Sequence, residues 1–271
     1  MEGPFSERAL LDVSLFSTLL FVFSALLVQF LLNQYTVWLL SSNSVYFQSS
    51  LFTINYSSES KWAEDQIYFI FGSGPVILSA IGFILLFVLG HIRMAGWKTK
   101  LALTWLTFML VNILPCSMVA GVFFYDGFGI AFHWFTSSYI ARGAIALTVF
   151  MIAVLLRRHW QWLFLKTSYT SAFLDIAPSQ RTFLEYVYYR PWIYGLLILL
   201  FFNWPFTNFF WRAFLLCYGF VAIPLLDHRN KYYNIHITKL NQKKFSTRPQ
   251  VIFLGILLLI IWIGDNFFLN Y

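Results

Sequence analysis

Apolar residues in this chain come in long runs, unlike the alternation of a half-buried strand or the one-sided stripe of an amphipathic helix. The runs cover residues 14–33, 67–90, 101–124, 134–156, 192–207, 210–226 and 250–268. Each is near the length of about 20 residues with which a helix crosses the hydrocarbon of a bilayer. The pattern predicts an all-α integral membrane protein, a polytopic bundle of about seven transmembrane helices forming a single domain over 1–271. Asn203, Pro205 and Asn208 interrupt the fifth and sixth runs, so 192–226 reads as two spans or as one broken helix, and the count as six to eight. Pro205 favours a tight hairpin of two spans, because it removes a backbone donor and breaks the helix there.

Two polar stretches stand out. The segment 34–66 contains VYFQSSLFTINY, whose β-branched and aromatic residues predict a short strand or hairpin. The segment 157–191 mixes basic and aromatic residues, which suits a helix lying in the membrane interface, either as a lipid-anchored loop or as a surface for a partner.

Composition strengthens the membrane reading. The chain is 59% hydrophobic and 11% charged, with a mean hydropathy of +0.69, against roughly 25% charged residues in an ordinary soluble domain. Trp and Tyr fall beside the ends of the apolar runs, where amphipathic rings favour the headgroup region. The N-terminal residues lack the basic leader and small-residue cleavage site of a signal peptide, so the first run is expected to remain as a span. Cys116 and Cys217 both fall inside predicted spans and are not placed to form an extracellular disulfide framework.

The net charge of +7 does not indicate nucleic acid, because the basic residues are sorted by loop. Alternate loops hold 15 Lys and Arg against 2, and Arg142 lies within the fourth span. Cytoplasmic loops collect Lys and Arg, so the N-terminus is expected in the cytoplasm and the C-terminus outside, with a bacterial inner membrane as the expected location. The partners expected are the lipid bilayer and a transmembrane protein.

Ionisable residues inside spans are costly and mark candidate sites. Asp126 stands at the outer end of the third span, His133 at the start of the fourth, Arg142 about two turns further in, and Asp265 near the outer end of the seventh. All four are expected on one side of the membrane. Arg142 is expected either to form a buried ion pair with Asp126 or Asp265 or to snorkel toward the headgroups. No His-Glu-x-x-His, Gly-x-Ser-x-Gly or Gly-rich Lys-Ser/Thr loop occurs. In FGSGP, Gly72 to Pro75, the glycines suit close helix packing, and Pro75 fits a first helical turn, where its missing amide proton has no partner anyway.

The order of features resembles the site-2 protease family of membrane metalloproteases over about residues 15–135. Gly74-Pro75 opens the second span, Asn112 to Pro115 (NILP) lies in the third, and Asp126-Gly127 follows. The resemblance implies a core in which Asp126 stands at the family's third zinc-ligand position. The position of the zinc-binding histidine pair instead reads Gln29, Phe30 and Asn33. Gln29 and Asn33 keep the spacing of one helical turn, but carboxamides are poor zinc ligands and Phe30 cannot act as a general base. The loop charges also place this cluster toward the outer face, whereas the family's zinc site lies toward the cytoplasm. Taken without the family, Asn112 and Pro115 predict a kink whose freed carbonyl is satisfied inside the bundle, and Asp126-Gly127 a helix end with its turn.

The candidate polar site is therefore Gln29, Asn33, Asp126, His133, Arg142 and Asp265, with no catalytic residue, metal or cofactor assigned. The expected function is that of a noncatalytic scaffold with a degenerate protease-like core that binds a membrane partner or lipid. A small transporter or channel is the alternative. A metal-dependent hydrolase using Asp126, His133 and Asp265 is the third reading.

Overall fold

The computed structural model describes residues 7–49, 54–56, 63–91, 96–169, 173–174, 177–202 and 248–263. These are almost entirely helical. The first helix, α1 (Glu7–Ser42), is 36 residues long and overruns the predicted 14–33 at both ends. Hydropathy marks only the hydrocarbon-crossing part, whereas the flanks hold no Pro or Gly and continue the helix. It ends where Ser41, Ser42 and Asn43 turn their side chains back onto the carbonyls of Val37, Trp38 and Leu39. Strands β1 (Phe47–Ser49) and β2 (Ile54–Tyr56) then pair antiparallel, the hairpin expected within 34–66.

A short helix, α2 (Glu64–Ile67), runs through a π-helical turn (Tyr68–Gly72) into α3 (Ser73–His91). Pro75 therefore does not occupy the first turn of its helix, as the sequence suggested. The helix starts about three turns earlier, and the π-turn lies just upstream of the proline, whose ring would crowd a regular α-turn there. The chain continues with α4 (Trp97–Phe123), α5 (Phe128–Phe135), α6 (Tyr139–Leu155), α7 (Arg157–Leu165) and α8 (Ala177–Leu184). A second π-turn (Glu185–Tyr189) leads into α9 (Arg190–Phe202), again just before a proline, Pro191. The last described helix is α10 (Arg248–Ile263).

Three helical runs are long and apolar enough to cross a membrane, Glu7–Ser42, Asp65–His91 and Trp97–Phe123. The predicted fourth span, 134–156, holds α6 and the last two residues of α5, and these two helices form a bent pair meeting at 119°. Counted as one broken span, it makes the total four among the described residues. The first part of the fifth predicted span is α9. The rest of the fifth, with Asn203 and Pro205, then Asn208, and the sixth, with Cys217, lie outside the described residues. The seventh contains α10, whose apolar stretch Pro249–Ile260 is shorter than a full span.

Contacts fix the directions of the helices. Phe16 of α1 meets Trp97 at the start of α4, and Lys98 Nζ donates to Gln250 Oε1 in the first turn of α10 at 3.0 Å. The α9 rod follows α1 in the same sense, with Val187 beside Ser17 and Gly195 against Phe21. Helix α3 runs the other way, from Gly74 against Leu32 and Tyr35 to Gly90 beside Lys166. So α1, α4, α9 and α10 all start at one end of the bundle, which is rich in Lys and Arg. The opposite, hairpin end is closed by a separate apolar cluster that joins Leu39, Leu40, Ile67, Ile70, Phe71 and Ile130.

The 157–191 segment packs more deeply than an interfacial helix alone requires. It does not simply lie on the bundle. Trp160, Phe164, Phe173 and Phe183 are fully buried, and the segment packs into the main core around Trp105. That ring stacks on Tyr188 at 5.5 Å and takes Phe164 and Phe21 edge-on at 4.6 and 5.0 Å.

Candidate functional site

Three of the candidate residues gather where α4, α5 and α6 meet, and each closes a helix end. Helix α4 stops at Phe123, Phe124 is extended, and the chain reverses at Gly127, whose φ of 51° favours glycine. Asp126 Oδ1 accepts from the Gly127 amide at 2.8 Å, and its carbonyl accepts from Gly129 N at 2.8 Å. Helix α5 then folds back against α4, with Gly129 close to Gly121. His133 Nε2 donates to the Gly121 carbonyl at 3.0 Å, one of the C-terminal carbonyls for which α4 has no internal partner. The His133 ring lies edge-on to Tyr125 at 5.2 Å.

Arg142 acts in the same way at the next break. Ser138 caps α6, accepting from Ala141 N at 3.4 Å, and Arg142 Nη1 reaches back to the Thr136 carbonyl just past α5 at 3.0 Å. Its guanidinium lies 5.9 Å from the Tyr139 ring centre. Only 7% of the residue is exposed, and Nε has no partner. The arginine is thus drawn into the corner and does not snorkel outward. Donors at helix C-termini and a carboxylate ahead of an N-terminus also match the helix dipoles.

Gln29 and Asn33 stand on α1, one turn from each other and both buried. Gln29 Nε2 has no hydrogen-bond partner. Asp265 lies outside the described residues. Among the described residues, no three His, Cys, Asp or Glu side chains come together in a way that could hold a metal. A zinc ion of the kind the protease resemblance implies does not fit the residues present: two carboxamides and one carboxylate are not its donor set.

Two polar seams that the candidate residues do not include cross the bundle. Pro115 deprives the Val111 carbonyl of its helical donor, and Ser79 Oγ of α3 supplies one at 3.3 Å. The contact is made possible by Gly82, where a side chain would meet Val111 N at 2.6 Å. The kink expected at NILP thus has its freed carbonyl satisfied by a neighbouring helix. Pro191 leaves the Val187 carbonyl in the same position. Ser17 Oγ donates to it at 2.6 Å and itself accepts from Trp105 Nε1 at 2.8 Å. The second seam was legible in principle, because a proline within a helical run frees the carbonyl four residues earlier. Its serine, 170 residues away, was not.

No protein-family model, no curated protein and no solved structure matches this chain.

Proposed function

We propose that this chain is a noncatalytic multi-pass membrane protein that acts as a scaffold, binding a membrane partner or lipid. In this reading its N-terminus is cytoplasmic and its C-terminus outside, in a bacterial inner membrane, and its core is a degenerate relative of the site-2 proteases. The observation that carries the noncatalytic part is the use of Asp126, His133 and Arg142. Each bonds to main-chain atoms at a helix end, the role of a structural cap rather than of a group aimed at a substrate. The gathering of the starts of α1, α4, α9 and α10 at the Lys- and Arg-rich end supports the orientation.

The first test is metal analysis of the detergent-purified protein beside Asp126→Ala. Stoichiometric zinc that is lost in the variant would overturn the reading in favour of a hydrolase. Metal-free protein that keeps a stoichiometric lipid or protein adduct in native mass spectrometry is the result expected.

A small transporter or channel is the second reading. It is favoured by the buried Arg142 with its unpartnered Nε and by the unpartnered Gln29 Nε2, since intramembrane polar groups line pathways. Saturable ion or solute flux into reconstituted vesicles, abolished by Arg142→Ala, would establish it over the scaffold.

A further inference from the structure

Helix α7 divides its residues by face. Trp160, Leu163 and Phe164 are buried in the main core. Arg158, His159, Trp162 and Lys166 fall within an arc of about 100° on the other side, at about 3.6 residues per turn. Arg158 and His159 are exposed and Trp162 is half-buried. Lys166, just past the last turn, lays its ammonium 3.4 Å from the Trp162 ring centre and donates to the Gly90 carbonyl at the end of α3 at 3.2 Å. His159 stands 5.4 Å from the same indole.

The charged residues described on this face are basic. Neither α7, nor α3, nor α8 contains an acidic residue. The His159 imidazole is held below its ordinary pKa, first by partial desolvation and then by the Lys166 ammonium. An anion placed over this face would relieve that repulsion. The location narrows the choice of anion, because α7 joins the end of α6 to the basic end of the bundle, where a tryptophan favours the headgroup boundary. The helix has the build of an interfacial amphipathic helix, with one face in protein rather than in lipid.

We propose that the outward face of α7 seats the headgroup of an anionic phospholipid, with Arg158 and Lys166 holding the phosphate and Trp162 lying at the boundary with the acyl chains. A zwitterionic phosphatidylcholine is a poor occupant, since its quaternary ammonium meets the same basic groups. The site gives the lipid branch of the proposed function an address. It rests on the membrane reading and not on the absence of catalysis, so zinc or flux in the tests above would leave it standing.

The test is native mass spectrometry of the full chain, delipidated in detergent and titrated with phosphatidylglycerol or phosphatidylcholine. Phosphatidylglycerol is expected to be retained preferentially. Arg158→Gln and Lys166→Gln are each expected to weaken it about fivefold, the effect of one basic residue at an anionic surface. Lys166→Arg keeps the charge and is expected to keep binding, which separates loss of the seat from loss of fold. Arg181→Gln, on α8, is expected to change nothing. Equal retention of the two lipids would overturn the proposal, as would variants that bind like the parent. Complete displacement by soluble glycerol phosphate would also overturn it, assigning the face to a free phosphate ligand.

Discussion

At the basic end of the bundle, polar side chains bond across helices that are far apart in sequence. At the hairpin end, Asp126, His133 and Arg142 bond to main-chain atoms close by, while Tyr35 and Ser73 share a hydrogen bond between α1 and α3. Ser17 joins α1 to Trp105 of α4 and to the Val187 carbonyl of the π-turn, in the middle of an aromatic cluster. The hydrogen bonds of Asp126 Oδ1, His133 and Arg142 to the main chain span 1, 12 and 6 residues. The difference teaches that ionisable character is a poor guide to which polar residue holds this bundle together. Asp126, His133 and Arg142 trim helix ends, whereas the hydroxyls of Ser17 and Ser79 tie helices to one another. A hydroxyl can be buried with its one proton satisfied, at far lower desolvation cost than a charge.

This contrast can be broken by substitution. The largest effect is expected between the two ends, at the α3–α4 seam. Gly82→Val would drive a branched side chain into the main chain at Leu110 and Val111, a clash that a rotamer change cannot relieve. A loss of more than about 3 kcal/mol is expected, seen as failure to accumulate in the membrane.

Next comes Ser17→Ala, which orphans both Trp105 Nε1 and the Val187 carbonyl. About 1–3 kcal/mol per buried unsatisfied group is expected, read as a lowered thermal midpoint in detergent. A midpoint equal to the parent's would mean that the aromatic stack alone holds this end.

Asp126→Asn, at the hairpin end, should leave the protein inserted and folded, with a change below about 1 kcal/mol, because the carboxamide oxygen can accept from Gly127 as the carboxylate does. Loss of expression would show that the corner depends on the charge, and would reverse the contrast between the two ends.

The smallest effect is expected from pH. His159 is held below its ordinary value of 6.5 in the folded chain, so on acidification the unfolded chain binds a proton before the folded one does. Stability should therefore fall as pH drops through about 6.5, and level off below the folded pKa. His159→Gln should flatten this part of a midpoint-against-pH curve. An unchanged slope would assign it to another group.

Much of the hairpin end was legible in the sequence. The strand-forming run before Tyr56 and the helix end at Asp126-Gly127 follow from local rules, as does the freed carbonyl at NILP nearer the middle of the bundle. The bend between α5 and α6 was not, because the apolar residues on either side of 136–138 read the same whether the axis is straight or broken. Nor was the burial of 157–191, since aromatic residues between basic ones suit a lipid interface and a protein core equally well. The candidate residues were found by their charge, and their role as caps became visible only with the helix ends in place.

By itself the sequence determined that the chain is built from apolar helices, that its hairpin and the helix end at Asp126-Gly127 lie where they do, and that its basic residues collect on alternate loops. These follow from local composition and from backbone chemistry that acts over a few residues. Only the tertiary structure decided which serine meets which proline-freed carbonyl, which face of α7 is left outward, and that Asp126, His133 and Arg142 close helix ends. Those outcomes depend on packing between segments distant in sequence, where a few tenths of a turn in helix rotation changes which side chains meet.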